Sequence, residues 1–256
     1  EDKEHFRVLN LAANTFNDAS TSFFHNSVGG YHGAKMQRYQ ELIENQIQPA
    51  MIQMFDILKA SPTYESVDSI LQKLQVLNML NTRYFILSPD NEPLKNRHAF
   101  GPAWFVDDIV WADSAKQEMR LLSTTDLKRV AVVDKQYKDV VGKSSINANT
   151  KSIKLESYSA NRLKYSYQSE TDALALFSEI YYPKGWKATI NGKEVEIIRA
   201  NYLLRGVVLP AGSNSIEFEF HPTSYFTGNI ISAVSSVILL LLVVWVLYKS
   251  VAKKEE

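Results

Sequence analysis

The segment Ser27 to Tyr39 holds the residues best suited to chemistry. Gly29, Gly30 and Gly33 permit positive φ and close approach of backbone to a ligand. Tyr31 and His32 supply an aromatic face and a polar tip. Lys35 and Arg38, three residues apart, are expected to share one face of the first two turns of a helix. Exposed amides at a helix start, joined by two cations, suit a phosphate or pyrophosphate. Tyr31, His32, Lys35 and Arg38 are therefore the candidate substrate-binding residues. The plainer alternative is a glycine-rich turn capping a surface helix.

A second set is aromatic. Trp104, Trp186 and Tyr202, with Trp111, Tyr181 and Tyr182, could stack on sugar rings, although large aromatics also fill sandwich cores. Arg199 and Arg205 flank a strand and read as a rim that could pair with Glu194 or Glu196. Other chemistries find little support. His5, His25, His98 and His221 are scattered, with no second ligand at metal spacing, so no metal site is expected. There is no Gly-x-Ser-x-Gly elbow, and cysteine is absent, which excludes a thiol nucleophile and a disulfide framework. The Gly-Lys-Ser/Thr ending of a phosphate loop is missing after Gly29-Gly30. Asp107 and Asp108 are adjacent, so on a strand they point to opposite faces. With 28 basic and 28 acidic side chains and a formal net charge of zero, nothing recommends a nucleic-acid partner.

These candidates must be positioned by two differently patterned halves. In residues 1–134 short strands (Phe6–Leu11, Thr82–Leu87, Ala103–Trp111, Val130–Val133) alternate with amphipathic helices over Ala34–Ile47, Met51–Ala60, Asp68–Leu80 and Ser114–Leu122. Pro49 is expected to break or restart the helical run, and Asn14 to Gly33 reads as a long irregular loop. Residues 135–150 are polar and Lys-rich and read as a linker. From 151 to 222 the period changes to two. Leu163, Tyr165 and Tyr167 alternate with Lys164, Ser166 and Gln168, and Ala173–Tyr181 reads as a strand buried on both faces. Asn191-Gly192 is a hairpin turn. About seven short strands predict an antiparallel, jelly-roll-like β-sandwich, making the chain α+β.

From Pro222 through Tyr248 there is no Asp, Glu, Lys or Arg. About 20 apolar residues span the roughly 30 Å bilayer core, so 226–248 predicts a single transmembrane helix. Trp245 and Tyr248 suit an interfacial aromatic belt, and Lys249, Lys253 and Lys254 follow at once. The positive-inside rule then puts 249–256 in the cytoplasm and residues 1–225 outside it. The chain opens on Glu1 with no export signal in view, so the expectation is a C-terminal piece of a longer membrane protein whose earlier helices set its topology.

Several stretches together resemble one family. They are Ser27-Val-Gly-Gly-Tyr-His-Gly-Ala-Lys35 with Arg38-Tyr-Gln-Glu-Leu42, Leu77-Asn-Met-Leu-Asn-Thr-Arg-Tyr-Phe-Ile86 and Ala103-Trp-Phe-Val106. To these add Tyr182-Pro-Lys-Gly-Trp-Lys-Ala188, Asn191-Gly-Lys193 and Arg199-Ala-Asn-Tyr-Leu-Leu-Arg205. The combination resembles the C-terminal extracytoplasmic region and last membrane helix of the bacterial YfhO family. That resemblance implies a polytopic protein of GT-C-like glycosyltransferase architecture, using a polyprenyl-phosphate-linked sugar as donor and decorating cell-envelope glycopolymers. It implies a lipid bilayer, N-terminal membrane helices of the same protein and a glycan acceptor as partners. It places the catalytic acid in an early membrane loop, so no residue here is assigned as catalytic. The alternative is a membrane-anchored carbohydrate-binding or scaffolding module without transfer, or a weaker sensor-domain reading.

Overall fold

The computed structural model describes residues 4–60, 62–142 and 151–252. Parts of the expected linker and of the tail lie outside them. Three strands, β1 (Arg7–Asn10), β2 (Thr82–Ile86) and β3 (Leu94–Lys95), form a small sheet in which β1 runs parallel to β2. Between β1 and β2 come α1 (Ser20–Phe24), inside the segment expected to be irregular, then α2 (Gln37–Leu42), α3 (Gln48–Lys59), α4 (Tyr64–Lys73) and α5 (Gln75–Met79).

Pro49 does not break the helical run; it stands in the first turn of α3, where the regular helix restarts. A wide π-helical turn, Ile43–Ile47, joins α2 to α3 directly. Proline lacks an N–H and its ring collides with the carbonyl four residues earlier in a regular helix. A π turn displaces that carbonyl, and the Asn45 side chain donates to the Glu41 carbonyl at 2.7 Å. The single helix expected over Asp68–Leu80 is in fact two, because Leu74 leaves helical geometry at ψ 56.

Two larger sheets make the sandwich. One holds β7 (Lys151–Ser159), β8 (Arg162–Ser169), β10 (Trp186–Ile190), β11 (Lys193–Val195) and β14 (Gly212–Phe220), ordered β11-β10-β14-β8-β7. The other holds β4 (Ala103–Phe105), β5 (Asp108–Ala112), β6 (Val130–Asp134), β9 (Ala173–Ile180), β12 (Ile198–Ala200) and β13 (Leu204–Leu209), ordered β4-β9-β13-β12-β6-β5. That second sheet takes strands from both sides of segment 135–150. Helix α6 (Ala115–Leu122) connects β5 to β6 as a parallel crossover, and α7 (Lys138–Val141) follows β6.

The expected strand Ala103–Trp111 divides into β4 and β5, which lie at opposite edges of one six-stranded sheet. Five strand spacings would separate flat edges by about 24 Å, yet only Val106 and Asp107 join them, a reach of about 11 Å. The sheet therefore curls until its edges converge.

Alternation explains the layers. Leu163, Tyr165 and Tyr167 of β8, with Phe218 of the neighbouring β14, face Phe177 of β9 across the inter-sheet core. Tyr165, Phe177 and Phe218 meet edge to face with centroids 4.8 to 6.0 Å apart, each burial worth about 1.5–3 kcal/mol. Strand β9 is apolar from Ala173 to Phe177 because both faces are covered there. Ala175 and Phe177 enter the sandwich core, while Leu174 and Leu176 enter the core beneath the helices. Asn191 and Gly192 turn β10 into β11 with φ of 50° and 79°, the left-handed pair a two-residue hairpin needs.

Helix α8 (Thr223–Ala252) begins two residues after β14. The most apolar 18-residue window within its stretch Thr223–Lys249 has mean hydropathy 2.9, and none of that window is buried against the head. A 30-residue helix is about 45 Å long, enough to cross a bilayer.

Candidate functional site

Segment 26–31 is sewn onto β1: the Val8 amide donates to the Asn26 carbonyl at 2.8 Å and the Val28 amide to the Val8 carbonyl at 2.9 Å. The Gly30 amide then donates to the Thr15 carbonyl at 2.7 Å. A Cβ on Gly29 would fall 2.0 Å from that same oxygen, and Gly30 has φ +119°. Both positions therefore demand glycine. Gly33 meets neither constraint, having open space around it.

This fold opens a groove of about 370 Å³ whose walls include Tyr31, His32, Lys35, Arg7, Tyr39 and Ile180. Tyr39 donates its hydroxyl to the Val28 carbonyl at 2.6 Å, and burial pushes that hydroxyl up to about 12, keeping it a donor. His32 Nδ1 accepts the Ala34 amide at 3.0 Å, so in the neutral ring Nε2 carries the proton. The Lys35 ammonium sits 5.8 Å from the Phe16 ring and among the described residues has no acidic partner.

Arg38 does not join this group. Lys35 precedes the helix, which is capped by Met36, so the shared helix face expected for the two cations does not form. The Arg38 guanidinium turns inward, donates to Glu118 Oε2 at 2.8 Å and to the Tyr202 carbonyl at 3.1 Å, and lies 4.5 Å over the Tyr202 ring. The Glu118 side chain is wholly buried. Burial raises its pKa against the opposing Arg38 hydrogen bond and the charge of Arg199. Arg199 lies 3.9 Å from Glu118 and 3.8 Å from Asp134.

The turn between β12 and β13 completes this cluster. Asn201 and Tyr202 adopt φ of 46° and 72°, conformations that cost non-glycine residues about 1–3 kcal/mol each. Asn201 is clamped to Val132 by its amide and its Oδ1, both at 2.8 Å. Tyr202 donates to Glu41. Burial, then Glu41, pushes the Tyr202 hydroxyl up to about 12. Arg199 is thus part of a buried network rather than a rim beside Glu194 or Glu196; Glu194 pairs with Lys187 at 3.2 Å.

A second buried ionic group backs the groove. Glu179 Oε1 receives His5 Nε2 at 2.9 Å, and its other oxygen lies 3.8 Å from Arg7. Arg7 also donates to the carbonyls of Leu80 and Ser178. Burial alone would raise the Glu179 pKa, but the His5 hydrogen bond and the charges of Arg7, His5 and Arg205 overcome it and hold the carboxyl at about 2. Arg205, buried, donates to the Ile180 carbonyl at 3.1 Å and lies 3.8 Å over the Trp186 ring.

The aromatic candidates do not form an open platform. Trp104 is buried against Phe100, their centroids 5.1 Å apart, and Tyr202 is buried beneath Arg38. Trp186 has Arg205 on one face and Phe220 at 5.2 Å.

The groove lies at the end of the head from which α8 emerges. Ile180, in its wall, is two residues, about 7 Å of extended chain, from Tyr182. The Tyr182 ring is 6.4 Å from Phe220, the last residue of β14. His221 donates its amide to the Gly185 carbonyl at 2.7 Å. Gly185 has φ +103°, and a Cβ there would meet Phe220 at 2.8 Å, so this junction is close-packed.

Fold and span together define a membrane-anchored α+β protein with a two-sheet sandwich. Residues 116–232 match the family model described as "Bacterial membrane protein YfhO". That match, to somewhat less than half of the chain, runs from α6 across the sandwich into α8. A curated relative named "Uncharacterized protein YfhO", from Bacillus subtilis (strain 168), is 34% identical over 112 residues. Those residues are 44% of this chain and 13% of that protein, so the chain spans a small part of the relative's length. No solved structure matches. Glu118, Asp134, Arg199, Tyr202 and Arg205 fall inside the matched stretch; the groove loop lies before it.

Proposed function

We propose that this chain is the extracytoplasmic, C-terminal head of a polytopic GT-C-like glycosyltransferase acting on cell-envelope glycopolymers. Its groove receives the phosphate end of a polyprenyl-phosphate-linked sugar and positions it for transfer by residues elsewhere in the whole protein. The observation that carries this reading is the groove's composition at the α8 end of the head. Lys35 offers a cation with no acidic partner among the described residues, and His32 offers Nε2–H. A phosphate group suits such a set of donors. The lysines after Tyr248 support the sidedness, since they favour a cytoplasmic tail and hence an external head.

The test uses the full-length protein carrying His32→Ala and Lys35→Ala together. Charge-assisted hydrogen bonds contribute about 1.5–3 kcal/mol each. Sugar transfer from the lipid-linked donor to envelope polymer is therefore expected to fall at least about tenfold, with the melting temperature unchanged because both side chains are at the surface. Undiminished transfer contradicts the proposal.

A further inference from the structure

Two phenylalanines stand in the open beside the groove. Phe23 and Phe24 of α1 are 83% and 75% exposed, packed edge to face against each other at 4.9 Å. Isolated exposed apolar residues are ordinary, but here two are adjacent and Tyr31, also exposed, lies on the same groove rim as Ser22. From Ala19 to Ala34 there is no Asp, Glu, Lys or Arg, so burying this rim in a less polar medium desolvates no formal charge. The rim is also at the correct end of the molecule. Ser22 and Ile180 line one groove, and Ile180 is two residues from Tyr182, which touches Phe220 just before the membrane helix.

We infer that the Phe23–Phe24 turn is a second membrane contact, seated in the lipid headgroup region beside α8. Aromatic side chains partition to that interface, and short amphipathic elements bury their apolar side a few ångströms into it. The head is then held at two points, the span and this turn, and the mouth of the groove is fixed at headgroup level. The inference shares the groove's location with the proposed function and does not require a phosphate to bind there.

Because the chain has no cysteine, a single introduced thiol is labelled uniquely. Phe24→Cys and, as reference, Ser213→Cys carry an environment-sensitive fluorophore in the full chain, reconstituted in phosphatidylcholine–phosphatidylglycerol vesicles. Ser213 is exposed near the start of β14, seven residues and about 23 Å from Phe220. The expected result is a blue-shifted label at position 24, quenched several-fold more by nitroxide-bearing lipids than the label at 213. Adding Phe23→Ser should reduce that quenching. Helix α8 keeps every variant in the vesicle, so lost quenching cannot come from lost binding. Equal quenching at the two positions overturns the inference. So does a blue shift without lipid quenching, which would mean that protein, not lipid, covers the pair.

Discussion

Replacing Arg38 with alanine should destabilise the head by about 3 kcal/mol, even though Arg38 looks like a surface residue in sequence. The substitution removes a 2.8 Å hydrogen bond from a carboxylate with no exposed surface and uncovers the Tyr202 ring. Breaking a buried ion pair from one side strands the remaining charge, typically at a cost of about 3–5 kcal/mol. Arg199, at 3.9 Å from Glu118, compensates in part. For a protein of this size that loss corresponds to a melting temperature lower by about 6–12 °C. The effect should depend on pH in a definite direction. The folded-state pKa of Glu118 is raised by burial, so the folded state holds this proton more tightly than the unfolded chain. Its protonation favours the fold as pH falls. The difference between parent and Arg38→Ala should shrink in acid, and Glu118→Gln should suppress most of the defect at neutral pH. Thermal melts of the three variants at two pH values check this. A melting temperature within about 2 °C of the parent at neutral pH would show that the pair carries no weight.

Glu179→Gln should have an effect of similar size with the opposite pH signature. The Glu179 carboxyl is held at about 2 instead of the usual 4.5, which is worth about 3 kcal/mol at neutral pH. A depressed folded-state pKa means that this stability is present above the unfolded value near 4.5 and drains away as pH falls to about 2. The parent should therefore lose stability across that interval relative to Glu179→Gln, and the two should converge near its lower end. At neutral pH the variant also leaves Arg7, and the buried Arg205 behind it, without their shared counter-charge. Urea unfolding at pH 7 and pH 3 measures both. Parallel pH dependences in parent and variant would contradict the assignment.

Much of this architecture is legible in the residues. The membrane helix follows from uninterrupted apolarity, the Asn191-Gly192 hairpin from turn chemistry, and β8, β9 and β14 from alternation or its absence. Local pattern ends there, because it says how a strand is faced and not which strand it joins. Nothing in the period of Ala103–Trp111 reveals that its halves sit at opposite edges of a curled sheet, or that β5 and β6 complete a sheet begun by the sandwich. Those pairings are decided by long-range packing. The hidden ion pairs are a different case, since a signal was present. Glu118 is four residues before Leu122 and so shares the buried face of α6, while Arg205 interrupts the apolar run Leu203–Leu209. A charge on an apolar face has to find a partner in the interior, a requirement that the expected rim of Arg199 and Arg205 leaves unmet. Of the groove candidates, Tyr31, His32 and Lys35 do come together. Arg38 does not, because the helix starts at Gln37 instead of Ala34 and its first turn points Arg38 toward Glu118.

Sidedness is the most direct test of the account, since a head in the cytoplasm could not meet a lipid-linked sugar on the outer face. Single cysteines at Tyr31, on the groove rim, and at Lys249, beyond the apolar span, can be probed with a membrane-impermeant maleimide in intact cells. The account predicts that Tyr31→Cys is labelled without permeabilisation and that Lys249→Cys is labelled only after it. Labelling of Tyr31→Cys only after permeabilisation would contradict it.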